Sequence, residues 1–356
     1  MFFSRSKGLV GLDLGSCAVK AVELKDLGKG RGFRLLGLGI EPLPPEAIVD
    51  GAIMDSGLVS DAIQRLFSAN KFKAGDVSLS LSGHSVIIKK ISLPIMSPEE
   101  LAESIQWEAE QYIPFDMDDV NIDYEILSGG SSAGEGNMDV LLVAVKKEKI
   151  NDYTAVVSQA GKTPALVDVD VFALQNAFEV NYETPPANIV ALINFGASVT
   201  NISVLLQGHS IFWRDISIGG NRYTEAIQRE LNVPQESAET LKRGGQVEGV
   251  APDKVQEIMT SVNAELAAEI QKTLDFFKAT TSGESVQHLI ISGGCSKAQG
   301  LRETLAERFQ TPVELFDPFR RIIDVERLLP AGQAEELGPA MAIAVGLAVR
   351  REGDSA

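Results

Sequence analysis

Near the start of the chain an apolar segment, Val10-Gly11-Leu12-Asp13-Leu14, breaks at Gly15-Ser16-Cys17 and then alternates through Ala18-Val19-Lys20-Ala21-Val22-Glu23-Leu24. An apolar run, a glycine turn and a period of two predict a buried strand, a tight turn and a second strand. The pattern returns 181 positions later, where Leu192-Ile193-Asn194-Phe195-Gly196-Ala197-Ser198 leads into Val199-Thr200-Asn201-Ile202-Ser203-Val204-Leu205. Two copies predict a duplicated α/β domain with a cleft between its halves. Chance likeness of two short hairpins is the competing reading.

The rest of the periodicity follows the duplication. Strands are predicted at 8–14, 18–25, 33–40 and 76–81, with a helix at 57–69. A helix at 171–180 then leads to strands at 188–194, 199–206 and 209–214. Helices at 219–231, 235–243 and 253–279 precede a strand at 286–291, a helix from about Ala298 and a last helix at 337–350. Alternating strands and helices predict mixed sheets covered by helices.

Residues 85–166 break the pattern. Here strands are expected at 86–91, 120–127 and 139–145, and helices at 97–112 and 147–160. Ser128–Gly136 has the composition of a hairpin loop and lacks the lysine and helix start of a phosphate cradle. In helix 97–112, Leu101, Ile105, Ala109 and Tyr112 make one apolar stripe, and Trp107 lies about 120° away from it. Trp107 either packs on a neighbouring subdomain or anchors a partner.

Composition narrows the classes. The 356 residues exceed what one core usually serves, and 44% hydrophobic content fills large cores. A formal charge of −17 counts against nucleic-acid binding and against direct docking on anionic lipid. The acidity concentrates: from Ile91 to Val145 there are 12 carboxylates and no lysine or arginine. That span reads as a solvated face or as a surface that steers a basic partner. Cys17 and Cys295 are far apart and form no CxxC pair, so neither a disulfide scaffold nor a zinc site is expected. The longest apolar stretch, Gly338–Val349, is about 12 residues, too short to span a bilayer, and Asp13 interrupts any signal-peptide core. A cytoplasmic protein is expected. His84, His209 and His288 have no partner spacing and receive no catalytic role.

Four elements can carry chemistry. A strand–glycine turn–strand presents backbone N–H groups to an anion, and Asp13 can hold Mg²⁺ through water. Asn194 and Gly196 repeat the arrangement, so two opposed hairpins could clasp one polyphosphate. Leu289-Ile290-Ile291-Ser292-Gly293-Gly294 ends a strand where backbone can approach a flat ligand closely. Glu239, Lys242 and Arg243 share a helix face, fit either for a ribose and base edge or for a plain ion pair.

In this order the elements resemble the actin/sugar-kinase/DnaK ATPase superfamily. More narrowly, the chain resembles the PilM family of type IV pilus assembly proteins, which is similar to the division protein FtsA. The resemblance runs over about residues 8–350. It rests on Val10-Gly11-Leu12-Asp13-Leu14-Gly15, Glu108-Ala109-Glu110-Gln111-Tyr112-Ile113-Pro114-Phe115, the Ala268–Phe277 segment and Phe316-Asp317-Pro318-Phe319.

The resemblance implies an actin-like, ribonuclease-H-like duplicated α/β ATPase fold, with two lobes around a nucleotide cleft and an FtsA-type inserted subdomain. It divides the chain into a first large subdomain (1–84 and 167–186), the insert (85–166), a second large subdomain (187–218 and 285–356) and a helical one (219–284). It implies ATP and Mg²⁺, held by Asp13, Gly15, Ser16, Lys20, Asn194, Gly196, Ala197, Glu239, Lys242, Gly293 and Gly294. It also implies an N-terminal cytoplasmic peptide of the membrane protein PilN, held between the first subdomain and the insert, with Glu99, Glu100 and Trp107 as candidate contacts. Pilus motor and platform proteins, a homo-oligomeric ring, and a place at the inner membrane through PilN follow from the same likeness.

One departure stands out. The superfamily has Asp where this chain has Asn194, and an amide lacks the charge to attract Mg²⁺ or act as a base. Hydrolysis is therefore expected to be slow or absent, and a carboxylate restored at 194 is expected to raise it. Gln175 is the candidate for positioning water. A catalytic ATPase or kinase of the same superfamily is the alternative to a scaffold.

Overall fold

The computed structural model describes residues 8–127, 136–183, 188–281 and 283–351. All but Gly136 of the loop expected at Ser128–Gly136 lies outside them.

The first hairpin is β1 (Val10–Leu14) with β2 (Ala18–Asp26), extended antiparallel by β3 (Phe33–Pro42). A small ladder, β4 (Ile48–Val49) and β5 (Ala52–Ile53), precedes helix α1 (Ser56–Asn70). This helix forms because Val59, Ala62, Ile63, Leu66 and Phe67 recur at helical spacing and bury one face. Asp55 caps its start by accepting the Leu58 amide at 3.0 Å, and Lys71 ends it in the left-handed region. Cutting Leu66 to Ala there costs about 2–5 kcal/mol. Strand β6 (Asp76–Leu81) then runs parallel to β1.

The insert follows as β7 (Val86–Pro94), α2 (Pro98–Glu110), β8 (Val120–Leu127) and β9 (Asn137–Lys146), a three-stranded sheet in the order β7-β9-β8. Leu101, Ile105 and Ala109 of α2 cover one face, against Ile91, Leu93, Met138, Val140, Leu142 and Ala144. From the other face, Val143 and Val145, with Val86 and Ile88, join the core of the first lobe. Helix α2 therefore lies on the side of the sheet turned away from that lobe.

Helix α3 (Lys147–Gln159) and strand β10 (Thr163–Val169) belong elsewhere than expected. Tyr153, Val156 and Val157 bury in the first lobe's core, and β10 pairs in parallel with β6. The insert's own sheet thus ends at Lys146, and the expected boundary at 166 is corrected. Pro164 hid β10 in the sequence: it sits beside a register break at the sheet edge, where a missing N–H is tolerated.

After α4 (Asp170–Asn181) come β11 (Ile189–Phe195), β12 (Thr200–Leu206) and β13 (His209–Ile216). Helices α5 (Asn221–Leu231), α6 (Gln235–Lys242) and α7 (Pro252–Thr280) follow, then β14 (His288–Ser292), α8 (Leu301–Phe309) and β15 (Val313–Leu315). The helix expected from Ala298 begins three residues later, after a turn. The chain closes through α9 (Gln333–Leu337), a 3₁₀ turn at Gly338–Met341 and α10 (Ala342–Ala348), shorter than the single helix expected at 337–350.

The two large sheets share one topology. Order β3-β2-β1-β6-β10 in the first matches β13-β12-β11-β14-β15 in the second, with the same two antiparallel and two parallel pairings. Helices α4 and α10 lie between them, in a core that draws Val22 and Leu24 from one sheet and Val190, Leu192 and Ile290 from the other. Two glycines permit the closeness. A Cβ on Gly346 would stand 1.6 Å from the Ala173 carbonyl oxygen, and one on Gly11 2.1 Å from that of Ala344.

Candidate functional site

Both hairpins close with the same backbone bond. The Gly15 amide donates to the Ala18 carbonyl at 3.1 Å, and the Gly196 amide to that of Val199 at 3.0 Å. Glycine is required in the second copy because a Cβ on Gly196 would lie 2.6 Å from the Val199 oxygen. The hairpins meet across the lobes, where Ser198 Oγ donates to Ser16 Oγ at 3.2 Å. The start of α5 seats on the second turn: the Gly220 and Asn221 amides donate to the Gly196 and Ala197 carbonyls at 2.9 and 2.8 Å.

The third wall is the loop after β14. Gly293 adopts φ +93°, and a Cβ there would stand 2.3 Å from the Phe195 oxygen, so only glycine fits. Its amide donates to the Pro339 carbonyl at 2.7 Å, which ties this loop to the closing segment.

On α6, Lys242 Nζ donates to Glu239 Oε1 at 2.6 Å and to Thr224 Oγ1 at 2.9 Å, and Thr224 donates to the same carboxylate oxygen. Burial alone would raise the Glu239 carboxyl, but the Lys242 and Thr224 hydrogen bonds hold it below its ordinary range. Cys17 and Cys295 line the cleft as neutral thiols; burial pushes Cys295 up to about 11.

On the floor, Asp13 pairs with Lys20 at 2.7 Å, both side chains largely buried. Beside them stands Asp170, at the first turn of α4, accepting from Ser80 Oγ at 2.6 Å. Burial, and then the charge of Asp13, pushes its carboxyl up to about 6, against the pull of hydrogen bonds from Ser80 and Ser82. Lys149 donates to the Ser82 carbonyl at 2.8 Å, and burial lowers its pKa. Together these elements enclose a cleft of about 670 Å³, a size that suits a cofactor.

The cleft collects Asp13, Gly15, Ser16, Lys20, Asn194, Gly196, Ala197, Glu239, Lys242, Gly293 and Gly294, drawn from both lobes. Sequence reasoning missed Asp170, Ser80, Ser82, Tyr153 and Lys297, which also line it. An isolated Asp at a strand–helix junction was the available signal for Asp170. The described residues hold no cluster of three His, Cys, Asp or Glu able to bind a metal.

Gln175 is not in the cleft. It lies a turn and a half further along α4, where Nε2 donates to Glu179 at 2.7 Å and Oε1 accepts from Ser210. The expected contacts on α2 also fall elsewhere. Glu100 is spent in a capping box, accepting the Ser97 amide at 2.8 Å, and its pKa is lowered by that bond. Trp107 is 75% exposed, so it does not pack on another subdomain, and with Glu99 it sits on the layer away from the first lobe. The sheet face toward that lobe carries a Lys90–Asp139 ion pair at 2.7 Å and the exposed Asp123 and Glu125.

Two matching sheets, two opposed glycine hairpins and a shared cleft define an actin-like ATPase fold. The chain belongs to the family of type IV pilus assembly protein PilM, whose sequence profile matches residues 11–352. It is similar to the PilM protein of a solved PilM–PilN type IV pilus biogenesis complex, at TM-score 0.86 and 28% identity over 97% of this chain and 99% of that one. Ethanolamine utilization protein EutJ from Carboxydothermus hydrogenoformans matches at TM-score 0.57 and 13% identity, over 97% of this chain and 90% of that one. MreB5 of Spiroplasma citri, bound to AMPPNP, matches at 0.51 and 13%, over 96% and 95%. The last two share the fold. Among the described residues no helix is long and apolar enough to cross a membrane.

Proposed function

We propose that this chain is a nucleotide-binding scaffold of type IV pilus assembly. The turns at Gly15 and Gly196 cradle the phosphates of ATP, Asp13 holds Mg²⁺ through water, and Glu239 with Lys242 holds the ribose and base edge. Bound nucleotide supplies a polyanion that both lobes grip at once. One observation carries this reading: two hairpins of identical closure, one from each lobe, open on a single cleft.

The partner on this reading is the N-terminal cytoplasmic peptide of PilN, supported by likeness to a protein solved in a PilM–PilN complex. The peptide lies between the first lobe and the insert, against the face bearing Asp123 and Glu125 rather than Glu99 and Trp107. The same reading sets the chain at the cytoplasmic face of the inner membrane through PilN, in a homo-oligomeric ring that meets motor and platform proteins. Asp170, rather than Gln175, is the group this reading assigns to position water, because it stands beside Asp13 in the cleft.

The test is capture of the full chain on an immobilised PilN N-terminal peptide, with mass spectrometry of nucleotide released from the purified protein. Capture together with released ATP or ADP supports the scaffold. Folded protein that carries no nucleotide and ignores the peptide removes it.

A further inference from the structure

Four strands of the second sheet carry one polar rung. Ser292, Asn194, Asn201 and Asp215 stand directly opposite one another on β14, β11, β12 and β13. Ser292 Oγ donates to Asn194 Oδ1 at 3.3 Å, Asn194 Nδ2 to Asn201 Oδ1 at 3.0 Å, and Asn201 Nδ2 to Asp215 Oδ1 at 2.8 Å. The rung then leaves its sheet: the Gly83 amide of the first lobe donates to Asp215 Oδ2 at 2.7 Å.

Asp215 dictates the direction of every bond. An ionised carboxylate only accepts, so Asn201 must turn its NH₂ toward it and its oxygen toward Asn194. Asn194 must then present NH₂ to Asn201, which leaves its oxygen for the Ser292 hydroxyl. Asn194 and Asn201 are 8% and 2% exposed, so an unmet group in this rung is expensive.

Gly83 occupies the loop between β6 and β7, the root of the insert. Its neighbour His84 bonds Ser217 Oγ at 3.0 Å, a second tie from that root to the second lobe. Both Asn194 and Asn201 line the cleft, and an amide nitrogen carries a second proton that a phosphate oxygen can take.

We propose that Asn201 and Asp215 are positioning residues that couple the nucleotide cleft to the insert: a phosphate held by Asn194 steadies the rung, and the rung holds Gly83 and the root of β7. The inference rests on the cleft being a nucleotide site. It also accounts for Asn at position 194, because the rung needs a donor there. By linkage, whatever binds the insert and shifts its root changes nucleotide affinity by the same factor.

Hydrogen exchange on the full-length chain tests it, with and without saturating ATP–Mg²⁺, reading the peptide that spans residues 82–88. In the wild type nucleotide should slow exchange of the Gly83 amide at least tenfold. Asp215→Asn should abolish that slowing at ATP concentrations that saturate the variant, since it replaces one of the two accepting oxygens with an NH₂ that faces either the Asn201 or the Gly83 donor. Asn201→Ala cuts the rung one strand earlier and serves if the first variant is unstable; the wild-type comparison needs neither. ATP–Mg²⁺ that binds, as calorimetry reports, while leaving residues 82–88 unchanged overturns the coupling and leaves the nucleotide site standing. Full slowing retained in a folded variant also overturns it. No nucleotide binding at all overturns both.

Discussion

Asp13 and Asn194 hold the same place in two copies of one hairpin, and each turns its side chain to the residue opposite it on the next strand. For Asp13 that residue is Lys20, at 2.7 Å; for Asn194 it is Asn201, at 3.0 Å. One copy carries an ion pair, the other an amide pair. The first lobe thus offers the cleft a paired carboxylate, while the second offers neutral donors tied into its sheet.

That difference reverses an expectation. Asn194→Asp is expected to lower stability and leave phosphate release unchanged or reduced. A carboxylate at 194 would face the Asn201 oxygen, and turning Asn201 round would set that oxygen against Asp215. Phosphate release by the variant several-fold above wild type would contradict this.

Asp170 makes stability depend on pH. Its folded pKa of about 6 lies above the ordinary 3.8, so the folded state binds the extra proton between those values. Stability contributed by this group is full below about pH 4 and is lost as pH rises toward 6. Asp170→Asn should therefore stabilise the protein by about 3 kcal/mol at pH 8 and by little at pH 4. Urea unfolding at the two pH values checks it; equal differences would show that Asp170 does not titrate differently on folding.

Adjacent glycines should respond differently. Gly293→Ala forces a Cβ into the Phe195 backbone at positive φ and should cost about 1–3 kcal/mol, whereas the Cβ site on Gly294 meets no atom within 4 Å. Gly294→Ala should stay within about 0.5 kcal/mol of wild type. Equal melting shifts for the two would mean that the loop relaxes freely.

Charge reversal locates the peptide groove. Asp123→Lys should slow association of the PilN peptide several-fold, and raising salt toward 1 M, where the Debye length is about 3 Å, should erase the difference. Glu99→Lys, on the far layer, should leave association within about twofold. The opposite pattern in surface resonance would return the partner to α2.

Much of this was legible in the sequence because the signal was repeated. The two hairpins share a period and a glycine at a fixed offset, and the duplicated domain with a cleft between its halves follows from that repeat. Asp170 was not legible. It reaches Asp13 only through the parallel order β10-β6-β1, which joins residues far apart in the chain. Gln175 was attractive as a residue type, yet in a helix five residues' displacement carries a side chain from the first turn to another surface. Trp107 was correctly placed off the core stripe, but which layer of the insert meets the first lobe depends on the sheet and not on the helix. Strand β15, three residues long, gives no periodicity to read.

Calorimetric titration of the full-length chain with ATP–Mg²⁺, beside Asp13→Ala, bears most directly on the nucleotide clasp. The wild type should bind one nucleotide, and the variant, which loses both the carboxylate and the partner of Lys20, should bind at least tenfold more weakly, about 1.4 kcal/mol. Absence of binding to the folded wild type, or equal affinity in the two proteins, would contradict the clasp.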